Sequence, residues 1–340
     1  MADDKLPRIT ISKEERLRRF DNLRKLKLSF SNKQFQIRNL PKWVDFRLEG
    51  KHWIILIPVG EYEDYNFITH HWIDHLIVQV TVGGHPSPAD YWRQHSEEIR
   101  ANAQKEFGST DDNTLRQVLY STAIEATAFR PSTAVSIYRM FNAQKVLDFS
   151  SGWGDRLVGA MAADLDLYVG VDPNEELVSC YQGMIDFFGK HRDLKGKYVM
   201  EKAAFEKWDS KDYKDFDLVF TSPPYFDFEV YNTEDPNQSI QGRNLEKWFS
   251  EFLMVSMKKS LSLLKSGGML ALNVNDIFRG SRYVMAMLAH TELLCYYVGC
   301  IAYSNFDDKG APKNPQPIWI FRNSQPGQPK FANMKNSLKQ

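Results

Sequence analysis

The stretch Asp217-Leu218-Val219-Phe220-Thr221-Ser222-Pro223-Pro224-Tyr225-Phe226 joins a run of apolar residues to an abrupt stop. The apolar residues predict a buried β-strand over residues 217–221. Two consecutive prolines fix φ twice and supply no backbone N–H, so neither a strand nor a helix continues through them. The sequence therefore predicts a stiff turn at the carboxyl end of a strand, where open α/β sheets place their ligands.

The same turn carries groups that suit an amine. Ser222 Oγ and the carbonyl of Pro223 accept hydrogen bonds, and Tyr225 offers a flat face to a planar ring. Two fixed acceptors beside a stacking ring would hold the exocyclic amino group of a nucleobase while it is alkylated. A strand that ends at proline beside a core tyrosine has the same sequence, so the turn alone leaves both interpretations open.

Strand and helix patterns alternate around this turn. Strands are predicted at residues 145–150, 167–172, 197–202, 217–221, 269–275, 294–302 and 317–321. Helices are predicted at residues 114–129, 132–141, 174–189, 245–264 and 283–293, and another follows the turn 151–156 and ends at residue 163. This alternation predicts an α/β fold, in which a mostly parallel sheet is covered on both faces and ends in an antiparallel edge hairpin.

A second turn follows the first of these strands. Asp148 lies near the end of the strand, and Gly152 and Gly154 follow where the backbone turns tightly. Asp172 ends the next strand, roughly 20 residues further on, where nucleotide-binding folds place a carboxylate for ribose hydroxyls. The run is neither a GxGxxG motif nor a P-loop. It suits S-adenosylmethionine, and it equally suits structural glycines at a strand–helix junction.

Three motifs, each at a predicted strand end, carry a resemblance to a known family. They are Asp148-Phe-Ser-Ser-Gly-Trp-Gly-Asp-Arg, Val171-Asp-Pro-Asn and Thr221-Ser-Pro-Pro-Tyr. Over about residues 120–322 the chain resembles the class I S-adenosylmethionine-dependent amino-methyltransferases. Among these it is similar to the DNA enzymes that methylate adenine N6 or cytosine N4, whose signature is Asp/Asn/Ser-Pro-Pro-Tyr/Phe/Trp. The resemblance implies a Rossmann-like methyltransferase fold with a seven-stranded sheet.

The resemblance also implies S-adenosylmethionine as cofactor. Its implied cofactor-binding residues are Asp148, Ser150, Gly152, Gly154, Asp172, Ala204, Phe205, Arg130 and Pro131. Within this set Asp172 would bind the ribose hydroxyls, Ala204 and Phe205 would flank the adenine, and the others would surround the methionine moiety.

The catalytic residues implied by the resemblance are Ser222, Pro223, Pro224 and Tyr225. The target base would be flipped out of its stack, with Tyr225 replacing the lost stacking contacts. Ser222 and the Pro223 carbonyl would accept the amino hydrogens. Serine in the first position resembles the cytosine-N4 enzymes more than the adenine enzymes, so DNA is the expected substrate and cytosine N4 is slightly favoured.

Other functions stay open at this point. The formal net charge is zero, so any contact with nucleic acid must come from local patches such as the basic residues 13–27. RNA adenosine N6, including cap-adjacent adenosine, and a protein glutamine side chain are alternative targets. A catalytically silent methyltransferase fold that serves as a binding subunit is another alternative.

The chain outside these motifs divides into an N-terminal region and a tail. Residues 1–113 are predicted to form an α+β accessory region, with possible target recognition, that ends at the polar segment 108–113. Residues 114–322 would form the methyltransferase domain. Residues 323–340 are polar and are expected to be a flexible tail. Within the accessory region, strands are predicted at residues 53–58 and 76–81.

Several classes of protein are disfavoured by the sequence. Three cysteines without a CxxC pair indicate neither a disulfide scaffold nor a zinc ribbon. His70, His71 and His75 lack a recognisable metal-ligand spacing, so no metal site is predicted. No apolar stretch reaches membrane-spanning length, and the N-terminus lacks a signal-peptide pattern. The sequence therefore predicts a soluble intracellular protein of the cytoplasm or nucleus, without a membrane partner.

Overall fold

The computed structural model describes residues 5–27, 54–58, 67–231, 236–276, 283–291, 294–306 and 312–324. The predicted tail beyond residue 324 lies outside the described residues.

The helices and strands of the described residues follow the predicted alternation. The strands are β1 (Ile54–Pro58), β2 (Thr81–Val82), β3 (Lys145–Asp148), β4 (Leu167–Asp172), β5 (Lys197–Lys202), β6 (Phe216–Thr221), β7 (Glu229–Val230), β8 (Leu264–Leu272), β9 (Tyr296–Phe306) and β10 (Pro312–Arg322). The helices are α1 (Lys13–Arg24), α2 (His70–Ile77), α3 (Pro88–Phe107), α4 (Asp112–Thr122), α5 (Pro131–Met140), α6 (Asp155–Ala163), α7 (Glu176–His191), α8 (Leu245–Lys247), α9 (Met254–Leu263) and α10 (Val284–Thr291). A π-helical segment, Trp248–Leu253, joins α8 to α9.

The central sheet has the order β1-β9-β10-β8-β6-β3-β4-β5 and is eight-stranded. Strands β3, β4, β5, β6 and β8 pair in parallel, and β10 is antiparallel to both of its neighbours. This arrangement confirms the predicted mostly parallel sheet of the Rossmann-like methyltransferase fold, with its antiparallel hairpin. Strand β1 of the N-terminal region pairs in parallel with β9 and adds an outer strand to the predicted seven.

Side chains alternate between two apolar layers along the central strands. Val146, Leu218 and Phe220 pack into the cluster on one face, whereas Leu147 and Val219 pack into the cluster on the other. Successive side chains of a strand point to opposite faces. Both faces are therefore buried, which is why these strands read as continuous apolar runs rather than as an alternation of apolar and polar residues.

Two local predictions are wrong. The predicted strand at residues 76–81 is the end of α2 followed by a turn, because Ile73 and Ile77 lie four residues apart and are both buried on one helical face. The helix predicted at residues 114–129 ends at Thr122. Arg130 is extended, as expected of the residue that precedes a proline.

The N-terminal region packs closely on the α/β part of the chain. Phe20 of α1 stacks on Phe188 of α7 with 4.1 Å between the ring centroids. Strand β2 pairs with β7, so that Thr81 lies opposite Val230, in the segment that follows the double proline. Strand β7 is thereby supported from outside the central sheet.

Candidate active site

The order in which the parallel strands are added to the sheet reverses at β3. Strands β4 and β5 lie on one side of β3, and β6 and β8 lie on the other. Ligands of open α/β sheets bind in the crevice at such a point, beyond the carboxyl ends of the strands. A cleft of about 610 Å³, a volume that includes space open to solvent, lies there.

Seven of the predicted cofactor-binding and catalytic residues line this cleft. They are Ser150, Gly152, Asp172, Ala204, Phe205, Ser222 and Pro224. Those among the predicted residues that do not line it are Asp148, Gly154, Arg130, Pro131, Pro223 and Tyr225. The cleft therefore joins the predicted cofactor-binding turn to the double-proline turn, which lie far apart in the sequence.

Asp148 lies beneath the turn that carries Gly152 and Gly154. It is fully buried, forms an ion pair with Arg156 at 2.7 Å (Nε to Oδ2) and accepts a hydrogen bond from the Tyr168 hydroxyl at 2.7 Å. Arg156 also donates to the carbonyl of Ser150. These bonds tie the end of β3 to the turn above it. Asp148 acts on the cleft through the position of Ser150.

Glycine is favoured at two positions of this turn, Gly152 and Gly154, and the local contacts differ between them. Gly154 has φ +85°, and a Cβ at this position would lie 2.7 Å from Met184 Sδ. Gly152 has φ +56°, and its N–H donates to Asp172 Oδ2 at 2.8 Å. Both positions favour glycine because L side chains rarely adopt a positive φ. At Gly154 a methyl group would in addition clash with the side chain of Met184.

Asp172 presents its carboxylate to the cleft. Oδ2 accepts from Gly152 N, and Oδ1 accepts from Asn174 N at 3.0 Å. Burial raises the pKa of Asp172 to about 6, and the two backbone donors counter this rise. Two carboxylate oxygens have about four acceptor positions. Two of these stay available for hydroxyl groups in the cleft.

The opposite wall is apolar and is closed by a loop. Phe205 stacks on Phe149 at 4.8 Å, and both rings line the cleft. Glu206 also lines it and forms an ion pair with Arg243 at 2.9 Å, with both side chains largely buried. Arg243 donates in addition to the carbonyl of Ser239 at 2.9 Å. This contact holds the lining residues 237–239 against the wall.

The double-proline turn has a hydrogen-bonding partner on the neighbouring strand. Ser222 Oγ lies 3.1 Å from Oδ1 of Asn273, which follows β8 directly and is buried. Tyr225 is partly buried against the apolar cluster of that face. Burial raises the pKa of Tyr225. Pro223 is buried, which fixes the path of the turn.

Arg130 and Pro131 lie at the start of α5. Pro131 is buried, and its carbonyl would lie 3.2 Å from a Cβ at Gly159, so α5 packs closely on α6. Burial raises the pKa of Tyr303 to about 12, and the charge of Arg130 counters that rise.

Glu229 and Tyr231 lie behind the turn. Tyr231 lines the cleft and donates its hydroxyl to Glu229, which also accepts from Thr127 N at 3.1 Å. Burial raises the pKa of Glu229. This pair forms a polar contact between the cleft and a largely buried carboxyl group.

Several of these residues were missed in the sequence. Glu206 and Asn273 have roles that only the fold reveals, because their partners Arg243 and Ser222 lie 37 and 51 residues away in the chain. Arg156 and Tyr231 have partners close in the chain, and their contacts depend on the turns between them. Asn273 alone had a readable signal, since it is a polar residue at the end of an apolar strand, as Asp148 and Asp172 are.

The described residues contain no group of three or more His, Cys, Asp or Glu side chains that could hold a metal ion. Cys180, Cys295 and Cys300 are buried, and none of these three described cysteines forms a disulfide. No helix within the described ranges is long and apolar enough to cross a membrane.

No protein-family model matches the chain, and no curated protein matches it. Among solved structures, a S-adenosylmethionine-dependent O-methyltransferase from Thermotoga maritima is 12% identical, with a TM-score of 0.41, over 60% of this chain and 69% of that chain. A proposed class I S-adenosylmethionine-dependent methyltransferase from Listeria monocytogenes is 13% identical, with a TM-score of 0.42, over 94% of this chain and 90% of that chain. A rRNA methylase from Streptococcus thermophilus is 12% identical, with a TM-score of 0.39, over 59% of this chain and all (100%) of that chain. At these identities and scores, the resemblances establish neither substrate nor reaction for this chain.

Proposed function

We propose that this protein is an S-adenosylmethionine-dependent methyltransferase that acts on an exocyclic amino group of a nucleobase. The observation that carries the proposal is the single cleft shared by Asp172, the Gly152 turn and Ser222. A cofactor site and an amine-holding turn must share one cleft for methyl transfer, because reacting atoms have to be held about 3–3.5 Å apart.

The cleft fits the cofactor by the chemistry of its donors and acceptors. The acceptor positions left on Asp172 suit two ribose hydroxyls, and the flat apolar wall of Phe149 and Phe205 suits the adenine ring. Gly152 and Ser150 would contact the methionine moiety, since both line the cleft beside Asp172. When bound, S-adenosylmethionine supplies a methyl group on a cationic sulfonium.

The protein's own contribution is then mainly positioning. Ser222, which lines the cleft, would accept one amino hydrogen, and the carbonyl of Pro223, which does not line it, would accept the second once the base has entered the turn. The two bonds would aim the nitrogen lone pair toward the cofactor side of the cleft. An amine loses its proton readily after it has been alkylated, so the reaction needs no strong general base. Tyr225 would stack on the flipped base, which requires its ring to turn toward the cleft.

DNA is the proposed polymer, with cytosine N4 slightly favoured over adenine N6 because serine occupies the first position of the motif. RNA adenosine, a protein glutamine and a silent binding subunit are the alternative outcomes of one experiment. Radiolabelled S-adenosylmethionine is incubated with the protein and duplex DNA, single-stranded DNA or total RNA, and the products are analysed as nucleosides.

We expect label in N4-methylcytosine or N6-methyladenine of DNA, and loss of that label in Tyr225→Ala. Label only in RNA would move the substrate to RNA and keep the site. Label in the protein fraction, added as a further acceptor, would identify a glutamine target. Absence of label in every fraction, together with absence of cofactor binding by calorimetry, would leave only the binding subunit.

A further inference from the structure

Asn273 contacts three groups around the double-proline turn. Its Oδ1 lies 3.1 Å from Ser222 Oγ and 3.3 Å from the Tyr303 hydroxyl. Its Nδ2 donates to the carbonyl of Pro317 at 2.7 Å. Tyr303 and Pro317 belong to the two strands of the β9–β10 hairpin, so the hairpin clamps the amide from one side while Ser222 meets it from the other.

These contacts fix the orientation of the amide. A backbone carbonyl only accepts hydrogen bonds, so the group that faces Pro317 must be the NH₂ of Asn273. The oxygen must then face Ser222 and Tyr303. The backbone of Asn273 is held as well, because its N–H donates to the carbonyl of Thr221 at 2.9 Å. An inverted amide would place two acceptors together at Pro317 with no proton between them, so one orientation is favoured.

The fixed amide determines the direction of the Ser222 hydroxyl. An amide oxygen cannot donate, so Ser222 must donate its only proton to Asn273. A serine oxygen has two lone pairs, and both can still accept after its proton has been donated. Ser222 lines the cleft, where it can only accept.

We infer that Asn273 is a positioning residue that makes Ser222 a hydrogen-bond acceptor toward the cleft, so that the substrate group held there must be a donor such as an amino group. The inference rests on the proposed function and specifies the substrate group of that same site. A carbonyl oxygen or an unprotonated ring nitrogen at this position would meet a lone pair and find no proton. Unpaired polar groups of this kind discriminate strongly in a buried site.

A double-mutant cycle tests the inference through kcat/KM for methyl transfer to whichever polymer the wild type methylates. The single variants are Ser222→Ala and Asn273→Leu. We expect each to lower kcat/KM by about tenfold or more, the effect of one lost hydrogen bond. In the double variant we expect no further loss, because Ser222 accepts correctly only while Asn273 takes its proton.

Two further variants separate positioning from structural support. Asn273→Asp keeps an acceptor for Ser222, so the penalty of Ser222→Ala should persist in that background; this variant also serves if Asn273→Leu does not fold. Tyr303→Phe removes the other donor to the same oxygen, and the Ser222→Ala penalty should persist there too. Cofactor affinity and the thermal melting temperature are measured for every variant. A variant that has lost activity merely because its structure is damaged would show a decrease in these two quantities as well.

Independent, multiplying losses for Ser222→Ala and Asn273→Leu in an active enzyme would overturn the inference and leave the proposed function intact. Nucleoside analysis gives a second outcome, since label on an exocyclic nitrogen agrees with the inference and label on a base oxygen overturns it. A wild type that binds cofactor but transfers no methyl group to DNA, RNA or protein would overturn the proposed function, and this inference with it.

Discussion

Two carboxylates at the ends of neighbouring strands do different work because their neighbours differ. Asp148 is fully buried and is neutralised by Arg156, so it stabilises the turn. Asp172 has only backbone donors and keeps acceptor positions toward the cleft. A carboxylate satisfied by a guanidinium and a hydroxyl offers little to a ligand, whereas one held by two N–H groups is oriented and still able to accept.

The pKa of Asp172 leads to a prediction about cofactor binding. Burial raises this pKa to about 6, so the free protein carries the protonated acid below that pH. Ribose hydroxyls donate to the carboxylate form. Affinity for S-adenosylmethionine should therefore be steady above pH 7 and fall by up to about tenfold per unit below pH 6.

Titration calorimetry between pH 5 and pH 8 measures this dependence. Asp172→Asn should bind more weakly at pH 8 and show a much flatter profile. An affinity that rises as the pH falls, or a profile that Asp172→Asn leaves unchanged, would remove Asp172 from the ribose contact.

Gly154 gives a prediction about stability. Gly154→Ala combines a left-handed φ, which costs about 1–2 kcal/mol for an L residue, with a clash against Met184. Gly108→Ala is the matched control, because Gly108 has φ +68° and open space around the position of a Cβ. We expect Gly154→Ala to lower the free energy of unfolding by about 1–3 kcal/mol more than Gly108→Ala does. Chemical denaturation compares the two, and equal losses would show that Met184 gives way.

The loop over residues 236–243 is fastened by side chains on both of its flanks. Arg243 joins Glu206 to the carbonyl of Ser239, and Trp248 Nε1 donates to Ser239 Oγ at 3.3 Å. Trp248 is fully buried in the π-helical segment. Long polar loops in compact domains are commonly functional. Here the fastening gives the loop a fixed place in the wall of the cleft.

Arg243→Ala should release this loop. It removes the partner of a largely buried carboxylate, so the wall around Glu206 is expected to loosen and affinity for S-adenosylmethionine to fall by about tenfold or more. Arg93→Ala is the control, since the Arg93–Asp90 pair is exposed and such pairs contribute little. Limited proteolysis with calorimetry checks both variants, and unchanged cleavage and affinity in Arg243→Ala would contradict the role of the loop as a wall.

The hairpin shows where sequence reasoning about elements succeeds and where it ends. Apolar runs and their turn signals predict β9 and β10, and the structure confirms them as an antiparallel pair. Pairing of β10 with β8 and of β1 with β9 depends on contacts between segments far apart in the chain. The same distance hides the clamp on Asn273, although the polar residue at that strand end is visible in the sequence.

The N-terminal region contacts the turns beside the cleft and also adds a strand to the sheet. Thr69 Oγ1 donates to Asp155 Oδ1 at 2.8 Å, at the start of the helix that follows the Gly152 turn. Gly83 N donates to the carbonyl of Phe228 at 2.8 Å, beside the β2–β7 pair. Both turns of the site are thus supported by the region predicted to recognise the target. We propose that target binding there bears directly on the position of both turns.

Thr69→Val tests this support. Asp155 is buried, its Oδ2 has no hydrogen-bond partner within the described part of the chain, and burial raises its pKa to about 7. The folded protein therefore binds more protons than the unfolded chain between about pH 4 and pH 7, and this group makes the free energy of unfolding fall as the pH rises through that window. Removing the Thr69 donor should destabilise the protein by about 1–3 kcal/mol at pH 8 and by less at pH 6.

Thr122→Val is the control for that variant, because Thr122 is exposed and bonds only to carbonyls of its own helix. Thermal melts at both pH values distinguish the two. A loss for Thr69→Val that does not grow with pH would mean that Asp155 is not the group it supports.

The motif-bearing parts of the fold were predictable because local chemistry decides them. Paired prolines stop a strand, and glycines with a positive φ mark the turn before Asp172. Which acids face the cleft was not predictable, since this depends on Arg156 reaching Asp148 across a turn. Tyr225 was expected to present its ring to a base in the cleft. In the structure the ring is instead partly buried, because it packs against the apolar cluster.

The most direct test of the central claim measures S-adenosylmethionine binding to the wild type, Asp172→Ala and Asp166→Asn by titration calorimetry. Asp166 lies exposed just before the same strand, away from the cleft, and so controls for a change of charge. We predict one site per chain, a loss of about 100-fold or more in affinity for Asp172→Ala and wild-type affinity for Asp166→Asn. Absence of binding by the wild type, or equal affinity in all three proteins, would contradict the assignment of this cleft as the cofactor site.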